Sequence, residues 1–323
     1  MKQNLPKIST AFKDKHIRQL YEDNFQELAI DWYNLQIVWL NGVYQCFKDH
    51  DKYLILIQIV KKTFDHYSAN FVNLTFDEYY KTQTIEIDKF NIYEIAKDLN
   101  ISRETARRKI AELEKTEIIQ KKKKNLLVKR EAFKHVKPVQ MVGTIVNFLN
   151  TFSKIYLRKD TLKKEITKKE IESCILGKFS HTWKLWYEML IPNLLDWKKV
   201  FGDLETFHIV GTIHLNETYE TNKLIKNSKI QLKNRRDFID LTKNIENKIG
   251  INAMSISAIT GIPRATVIRK LHKLINKKII LRNEKKLYHL DKKIFFFAYD
   301  IQSTVIKRLS NFTTQIFNLI KFS

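Results

Sequence analysis

Two segments of the chain carry the apolar spacing of a short helix, a tight turn and a second helix. In the first segment the apolar positions recur at intervals of three and four residues: Ile92, Ile95, Ala96 and Leu99. This spacing places them on one face of a helix. Asn100 suits the turn, because its short polar side chain tolerates left-handed backbone angles.

The second helix of this segment is predicted over Arg103–Glu114. Ser102 precedes it as an N-cap, whose hydroxyl can accept from a free backbone N–H of the first turn. Its buried face is predicted from the helical spacing of Ala106, Ile110 and Leu113. The helix then leaves its outer face free, as in a helix-turn-helix.

A β-hairpin is predicted directly after this helix. Two apolar runs between Ile118 and Val128 flank the four lysines Lys121–Lys124, so the hairpin has a basic tip, or wing. Ile85-Glu86-Ile87 alternates like a strand that would complete a small sheet. The whole module is predicted over residues 85–133.

The same pattern returns after 161 residues, which predicts a second module over residues 247–294. Gly261 supplies the left-handed turn residue, and Pro263 stands at the helix start, where a missing N–H costs nothing. At this offset the two segments align without a gap across the turn, the second helix and the wing. The identical pairs include Asn91/Asn252, Ile95/Ile256, Arg103/Arg264, Thr105/Thr266, Arg108/Arg269, Lys109/Lys270 and Leu126/Leu287. An internal duplication is therefore predicted.

Helices flank both modules. Amphipathic, aromatic-rich helices are predicted before them over Asn24–Phe47 and Ser180–Val200, and further helices after them over Val139–Tyr156 and Asp300–Phe322. The aromatic stripes favour a plain core over a ligand pocket. Between the halves, Leu157–Lys169 is either a linker or a continuing helix.

The fold predicted is mainly α with small β-wings, two winged helix-turn-helix modules being embedded in flanking helices. The domain boundaries predicted are 1–160 and 161–323, each domain holding one module. The chain has only 7 glycines and 4 prolines in 323 residues, which leaves little material for hairpin-rich β architecture.

The formal net charge of +23 suits a polyanionic partner, because lysine and arginine near phosphates release condensed counterions. Both halves carry an excess of basic residues. The abundance of lysine, isoleucine and asparagine also fits the codon bias of an AT-rich genome. Charge alone therefore does not distinguish a nucleic-acid-binding protein from one whose surface is merely basic.

The free faces and wings supply the candidate DNA contacts, since arginine can pair with guanine edges and a helix N-terminus receives phosphate. In the first module they are Ser102, Arg103, Glu104, Arg107, Arg108, Lys121, Lys122, Lys123 and Lys124. In the second they are Arg264, Thr266, Arg269, Lys270, Lys273, Arg282, Lys285 and Lys286. The alternatives are a solvated charged face and a charged turn that prevents edge aggregation.

The segments Ile95–Thr105 and Ser257–Val267 resemble bacterial winged-helix transcriptional regulators of the MarR-like, catabolite-activator-like (Crp-like) and IclR-like groups. The resemblance covers about 50 residues per module and implies double-stranded DNA binding. In MarR-like dimers, terminal helices outside the module build the dimer interface. By that resemblance the chain is either a monomeric pseudo-dimer, fused into one polypeptide, or a homodimer.

Enzymatic motifs are not found in the sequence: it has no glycine-rich phosphate loop, no HExxH and no serine elbow. Cys46 and Cys174 fit no metal-ligand spacing, and no cofactor or metal is predicted. No apolar run approaches the length of a membrane span, and the N-terminus does not look like a signal peptide. The expectation is a non-enzymatic, cytoplasmic, nucleoid-associated protein.

The leading functional prediction is a sequence-specific transcriptional regulator that reads two half-sites with the two modules of one chain, with RNA polymerase or other transcription proteins as further partners. The first alternative is a plasmid or phage replication initiator, since such initiators also resemble tandem winged helices. The second is a scaffold that coats AT-rich DNA or bridges proteins.

Overall fold

A computed structural model of the protein describes residues 7–81, 84–87, 91–122, 125–129, 138–159, 164–245 and 248–322. It is mainly helical with two small antiparallel sheets, as the sequence predicts. The predicted domain boundary at 160/161 falls outside the described residues.

The first half begins with a short 3-10 helix, Ile8–Thr10. Its helices and strands follow in chain order as α1 (Asp14–Asp23), α2 (Phe25–Phe47), α3 (His50–Ala69), α4 (Phe76–Lys81), β1 (Thr84–Ile87), α5 (Ile92–Asp98), α6 (Arg103–Lys115), β2 (Ile119–Lys122), β3 (Asn125–Lys129) and α7 (Val139–Arg158).

The second half has nearly the same order of elements: α8 (Lys168–Gly177), α9 (Phe179–Phe201), α10 (Leu204–Ser228), α11 (Arg235–Asn244), α12 (Ala253–Thr260), α13 (Arg264–Asn276), β4 (Ile280–Arg282), β5 (Tyr288–Leu290) and α14 (Ile294–Lys321). Three pairs agree in length: α1 and α8 have 10 residues each, α2 and α9 have 23, and α6 and α13 have 13. Helices α3 and α10 differ, with 20 and 25 residues.

The two sheets are both built around an antiparallel hairpin but differ in their number of strands. In the first, β1, β3 and β2 lie side by side in antiparallel pairing, with Ile85 opposite Val128. Because successive side chains of a strand point to opposite faces, Ile85 and Ile87 are buried while their neighbours are exposed. In the second, β4 pairs with β5, and a single bridge from Ile251 to Tyr288 stands where the first sheet has β1.

The predicted flanking helices begin and end close to the predicted positions, with one exception, and α8 is a further helix that was not predicted. Helix α14 begins at Ile294 rather than Asp300, because Ile294, Phe295 and Ala298 are buried and extend its apolar face towards the hairpin. Helix α8 begins at Lys168 behind a capping box, in which Thr167 and Glu170 each accept from the backbone N–H of the other.

The core is aromatic and runs through both halves. All five tryptophans are buried, as are Phe152, Phe179 and Phe317, so the aromatic stripes contribute to the core. Trp186 packs its ring edge against Phe312 of α14, with ring centroids 5.5 Å apart. Such edge-to-face pairs add to the stabilisation from burial alone.

Helices of the first half pack directly against helices of the second half, so that the two halves are interleaved. Helix α2 packs on α10 and α3 packs on α9, so that each long pair joins one helix from each half. The first helix of each half likewise packs on the last helix of the other: α1 packs on α14, and α8 packs on α7. Tyr21 of α1 also shares a hydrogen bond of 2.7 Å with Thr313 of α14. Each half therefore buries much of its apolar surface against the other.

We expect this exchange to make the chain unfold as one cooperative unit. Urea denaturation followed by tryptophan fluorescence and by far-UV circular dichroism should give coincident transitions. Trp186→Ala should lower the free energy of unfolding by about 3–5 kcal/mol and shift both curves together. Tyr93→Ala, at a position that is 61% exposed, serves as the matched control and should leave the midpoint nearly unchanged. Two separate transitions would contradict the interleaved core.

Candidate nucleic-acid interface

Each half presents one helix–helix–hairpin unit. The first unit comprises α5, α6, β2 and β3 (residues 91–129), and the second comprises α12, α13, β4 and β5 (residues 252–290). Each begins with an asparagine N-cap. Asn91 Oδ1 accepts from the N–H of Tyr93 at 2.9 Å, and Asn252 Oδ1 accepts from the N–H of Ser255 at 2.8 Å. These caps fix the first helix of each unit.

The turns of the two units use the predicted residues. Asn100 adopts a left-handed conformation with φ of 48°, and Gly261 does the same with φ of 71°. In the first unit, Ser102 Oγ then caps α6 by accepting from the N–H of Thr105 at 3.0 Å. In the second, Pro263 takes the N-cap position of α13. A capping side chain thus starts α6, whereas the fixed φ angle of a proline starts α13.

The second helices of the two units bury the faces that their spacing predicts. Ala106, Ile110 and Leu113 of α6 are fully buried, as are Val267 and Leu271 of α13. This burial turns the opposite face of each helix towards solvent. The outer faces are therefore held in place by apolar packing beneath them.

The outer face of α6 carries mixed charge. Arg103, Glu104, Arg107 and Arg108 are exposed. Glu104 lies 3.5 Å from the Nε atom of Arg107, and Arg108 lies at 4.0 Å from Glu112. Pairs as exposed as these contribute little to stability, so the arginines can exchange them for another anion.

The outer face of α13 is basic. Arg264, Arg269 and Lys273 are exposed, and Thr266 is partly exposed among them. Helix α13 contains no acidic residue, and among the described residues no carboxylate lies within 4.0 Å of these three cations. This face can therefore receive phosphates or base edges without first breaking an ion pair.

Lys270 does not belong to this face, contrary to the sequence prediction. Its side chain is only 8% exposed, and its Nζ atom donates to Asp203 at 2.6 Å and to Thr206 Oγ1 at 3.1 Å. Glu205 lies 3.4 Å away. Because its ammonium group is already paired beneath the helix, Lys270 is removed from the candidate interface.

The wings expose most of their predicted cations. Lys121 is half-exposed and lies 3.2 Å from Glu114, while Lys122 is exposed. Lys123 and Lys124 lie outside the described residues. In the second unit, Lys285 and Lys286 are exposed at the hairpin tip, and Arg282 is exposed with its guanidinium 5.8 Å from the Tyr288 ring centroid.

Two residues that sequence reasoning missed are Lys109 and the aspartate that it contacts. Lys109 forms a short ion pair with Asp49, the N-cap of α3, just as Lys270 pairs with Asp203, the N-cap of α10. The lysines align at an offset of 161 residues, but the aspartates align at 154. A search at a single offset therefore could not reveal the shared pairing.

Between these two ion pairs lie two buried histidines. The rings of His50 and His208 meet edge to face with centroids 5.3 Å apart, and the Nε2 atom of His208 lies 2.7 Å from Asn41 Oδ1. Burial lowers the pKa of His50 to about 4, against the smaller opposing effects of Asp49 and Asp203. Burial also lowers the pKa of His208 well below its usual value. Both rings are therefore neutral at pH 7.

We expect acidification to destabilise the fold through these histidines. Since the folded pKa of His50 lies below its unfolded value of about 6.5, the stability it contributes is present above pH 6.5 and is lost as pH falls towards 4. Between pH 7 and pH 5 the loss should be about 2 kcal/mol for His50 in urea titrations. His50→Asn should reduce this pH dependence, whereas His272→Asn, at an exposed position, should retain it. An unchanged slope in His50→Asn would contradict the assignment.

No match to this chain was found among protein-family models, curated proteins or solved structures. Within the described ranges, no helix is both long and apolar enough to cross a bilayer. The same residues contain no group of three or more histidine, cysteine or carboxylate side chains arranged to hold a metal ion.

Proposed function

We propose that the chain is a sequence-specific, double-stranded DNA-binding transcriptional regulator. The two helix–helix–hairpin units act as winged helix-turn-helix modules, with α6 and α13 as recognition helices and the two hairpins as wings. The observation that carries this proposal is the outer face of α13. It presents Arg264, Arg269 and Lys273 to solvent with no acidic partner among the described residues, above a fully buried apolar face.

The repeated order of elements supports an internal duplication and a pseudo-dimer. From α1 to α7 and from α8 to α14, helices of equal or similar length recur, and the same kind of unit stands at the same place in each series. The reciprocal packing of α2 on α10 and α3 on α9 is the pattern expected of two subunits joined into one chain. In this proposal, covalent linkage makes the second DNA contact intramolecular.

The chemistry of the exposed faces supports DNA over a small anion. Arginine presents a planar fork that matches guanine O6 and N7, and lysines on a wing can grip phosphates beside the groove. The net charge of +23 adds the long-range attraction that a polyanion would sense. A single small anion would use only one or two of these widely spread cations.

The two modules are expected to bind unequally. Glu104 and Arg107 of α6 are replaced at the corresponding positions of α13 by Ala265 and Ile268. The first face therefore carries an internal ion pair, whereas the cations of the second have no acidic partner in the part of the chain that the structure describes. The two half-sites consequently need not be palindromic.

Specific affinity should depend on both recognition helices. Arg103→Ala and Arg264→Ala are each expected to weaken binding to the cognate site by about 1–3 kcal/mol, because a bidentate pair with a base edge is lost. Fluorescence anisotropy with labelled duplexes measures the effect. Arg236→Ala removes the same charge from an exposed position on α11 and should change affinity far less. Equal losses in all three variants would show that the effect is only one of net charge.

The wing should contribute affinity without sequence selectivity. Replacing both Lys121 and Lys122 by Gln is expected to weaken cognate and unrelated duplexes alike, and to reduce the slope of log K against log salt by about 2. Replacing Lys277 and Lys278, exposed lysines beyond the end of α13, gives a matched double variant away from the first wing. A selective loss on the cognate duplex would instead assign base readout to this wing.

Sequencing of genomic fragments captured by the purified protein at ~150 mM salt tests the proposal as a whole. Sharp peaks at promoters, sharing a two-part motif, are the expected result. Peaks confined to repeats at a replication origin would replace the regulator with an initiator. Uniform recovery would favour a coating protein, and no recovery would overturn DNA binding.

A further inference from the structure

Each second helix is tied by one largely shielded lysine to the start of a long core helix. In the second unit, Lys270 of α13 donates to Asp203, the N-cap of α10. In the first, Lys109 of α6 pairs with Asp49, the N-cap of α3, and its side chain is only 14% exposed. We call these two contacts the lysine anchors. Each crosses from a DNA-facing unit into the interleaved helices.

The anchors reach neighbouring points of the core. His50 follows Asp49 directly, and its ring meets that of His208, in the second turn of α10, at 5.3 Å. Asp51 in the first turn of α3 accepts from Lys198 of α9 at 2.8 Å. Because α9 leads into Asp203, the beginnings of α3 and α10 lie side by side. The two lysine anchors therefore converge where the halves meet.

A second contact joins each unit to the core at a point away from its anchor. In the first unit, Lys62 of α3 donates to Glu94 of α5 at 2.6 Å. In the second, the buried carboxylate of Glu217 on α10 accepts from the N–H of Leu290 in β5 at 2.6 Å and from Lys248 at 2.8 Å. Both units are thus held to the core at two separated points.

We propose that Lys109 and Lys270 are positioning residues, which fix the two recognition helices relative to each other so that the chain accepts two half-sites at one spacing only. This inference rests on the proposed function. Its physical basis is that the two lysine side chains are largely shielded from solvent, 14% exposed for Lys109 and 8% for Lys270, so that each ammonium group lost from its aspartate would be left poorly solvated. The lysines act through the helices that carry them and do not themselves touch DNA.

The spacing dependence can be measured on the full chain. Duplexes carrying the two captured half-sites are prepared with the spacer changed one base pair at a time over a full helical turn. The wild type should bind one spacer best and lose affinity by about 100-fold when the spacer changes by half a turn, because both half-sites can no longer be engaged together.

Asp49→Asn with Asp203→Asn removes the anchor charges while keeping residues that cap helices well, so the core helices retain their starts. This double variant should flatten the spacing profile to about tenfold or less, because each recognition helix can then adjust. Lys109→Met with Lys270→Met removes the anchors from the other side and should give the same flattening. Lys115→Met with Lys277→Met, at exposed positions at the end of α6 and directly after α13, should keep the wild-type profile.

The outcomes separate the two claims. A sharp profile in the wild type that persists in both anchor variants, each shown by circular dichroism to be folded, would assign the anchors to stability alone. A wild type that binds both half-sites at any spacer would overturn positioning and leave DNA binding intact. A wild type that binds no duplex would overturn the proposed function itself.

Discussion

The exchange of packing between the halves is the constraint on which the other features depend. Helix α3 finds its main partner, α9, in the other half, and α2 packs on α10 of the other half as extensively as on α7 of its own. The beginnings of α3 and α10 are brought together by this arrangement. Those two helix ends then supply the aspartates that hold Lys109 and Lys270, and through them the outward faces of α6 and α13.

Local elements followed from the sequence, whereas their assembly did not. The N-cap at Ser102, the left-handed turns at Asn100 and Gly261 and the hairpins are set by chemistry within a few residues, so spacing and residue type predicted them. The crossing of helices between halves depends on contacts separated by well over a hundred residues. An amphipathic pattern shows that α2 has an apolar face but cannot show which helix covers it.

The candidate interface was likewise predicted in its local features but not in its contacts between distant residues. The exposed arginines of α6 and α13 were predicted, because an outer face follows once the apolar face is known. Lys270 was misassigned, since the periodicity that places it beside Arg269 contains no information about a carboxylate on another helix. An aspartate that precedes a helix is recognisable as a cap, but its second role, receiving a lysine from sixty or more residues away, appears only in three dimensions.

The unequal lengths of α3 and α10, 20 and 25 residues, have an evolutionary consequence. In a homodimer every substitution appears on both sides of the symmetry axis, so a change that suits one side must also be tolerated by its mirror copy. When both sides are encoded separately in one gene, each can acquire insertions or lose charges alone. Under the proposed duplication, the longer α10 and the single bridge at Ile251 in place of a strand are the kind of difference that such independent drift produces and a symmetric assembly would suppress.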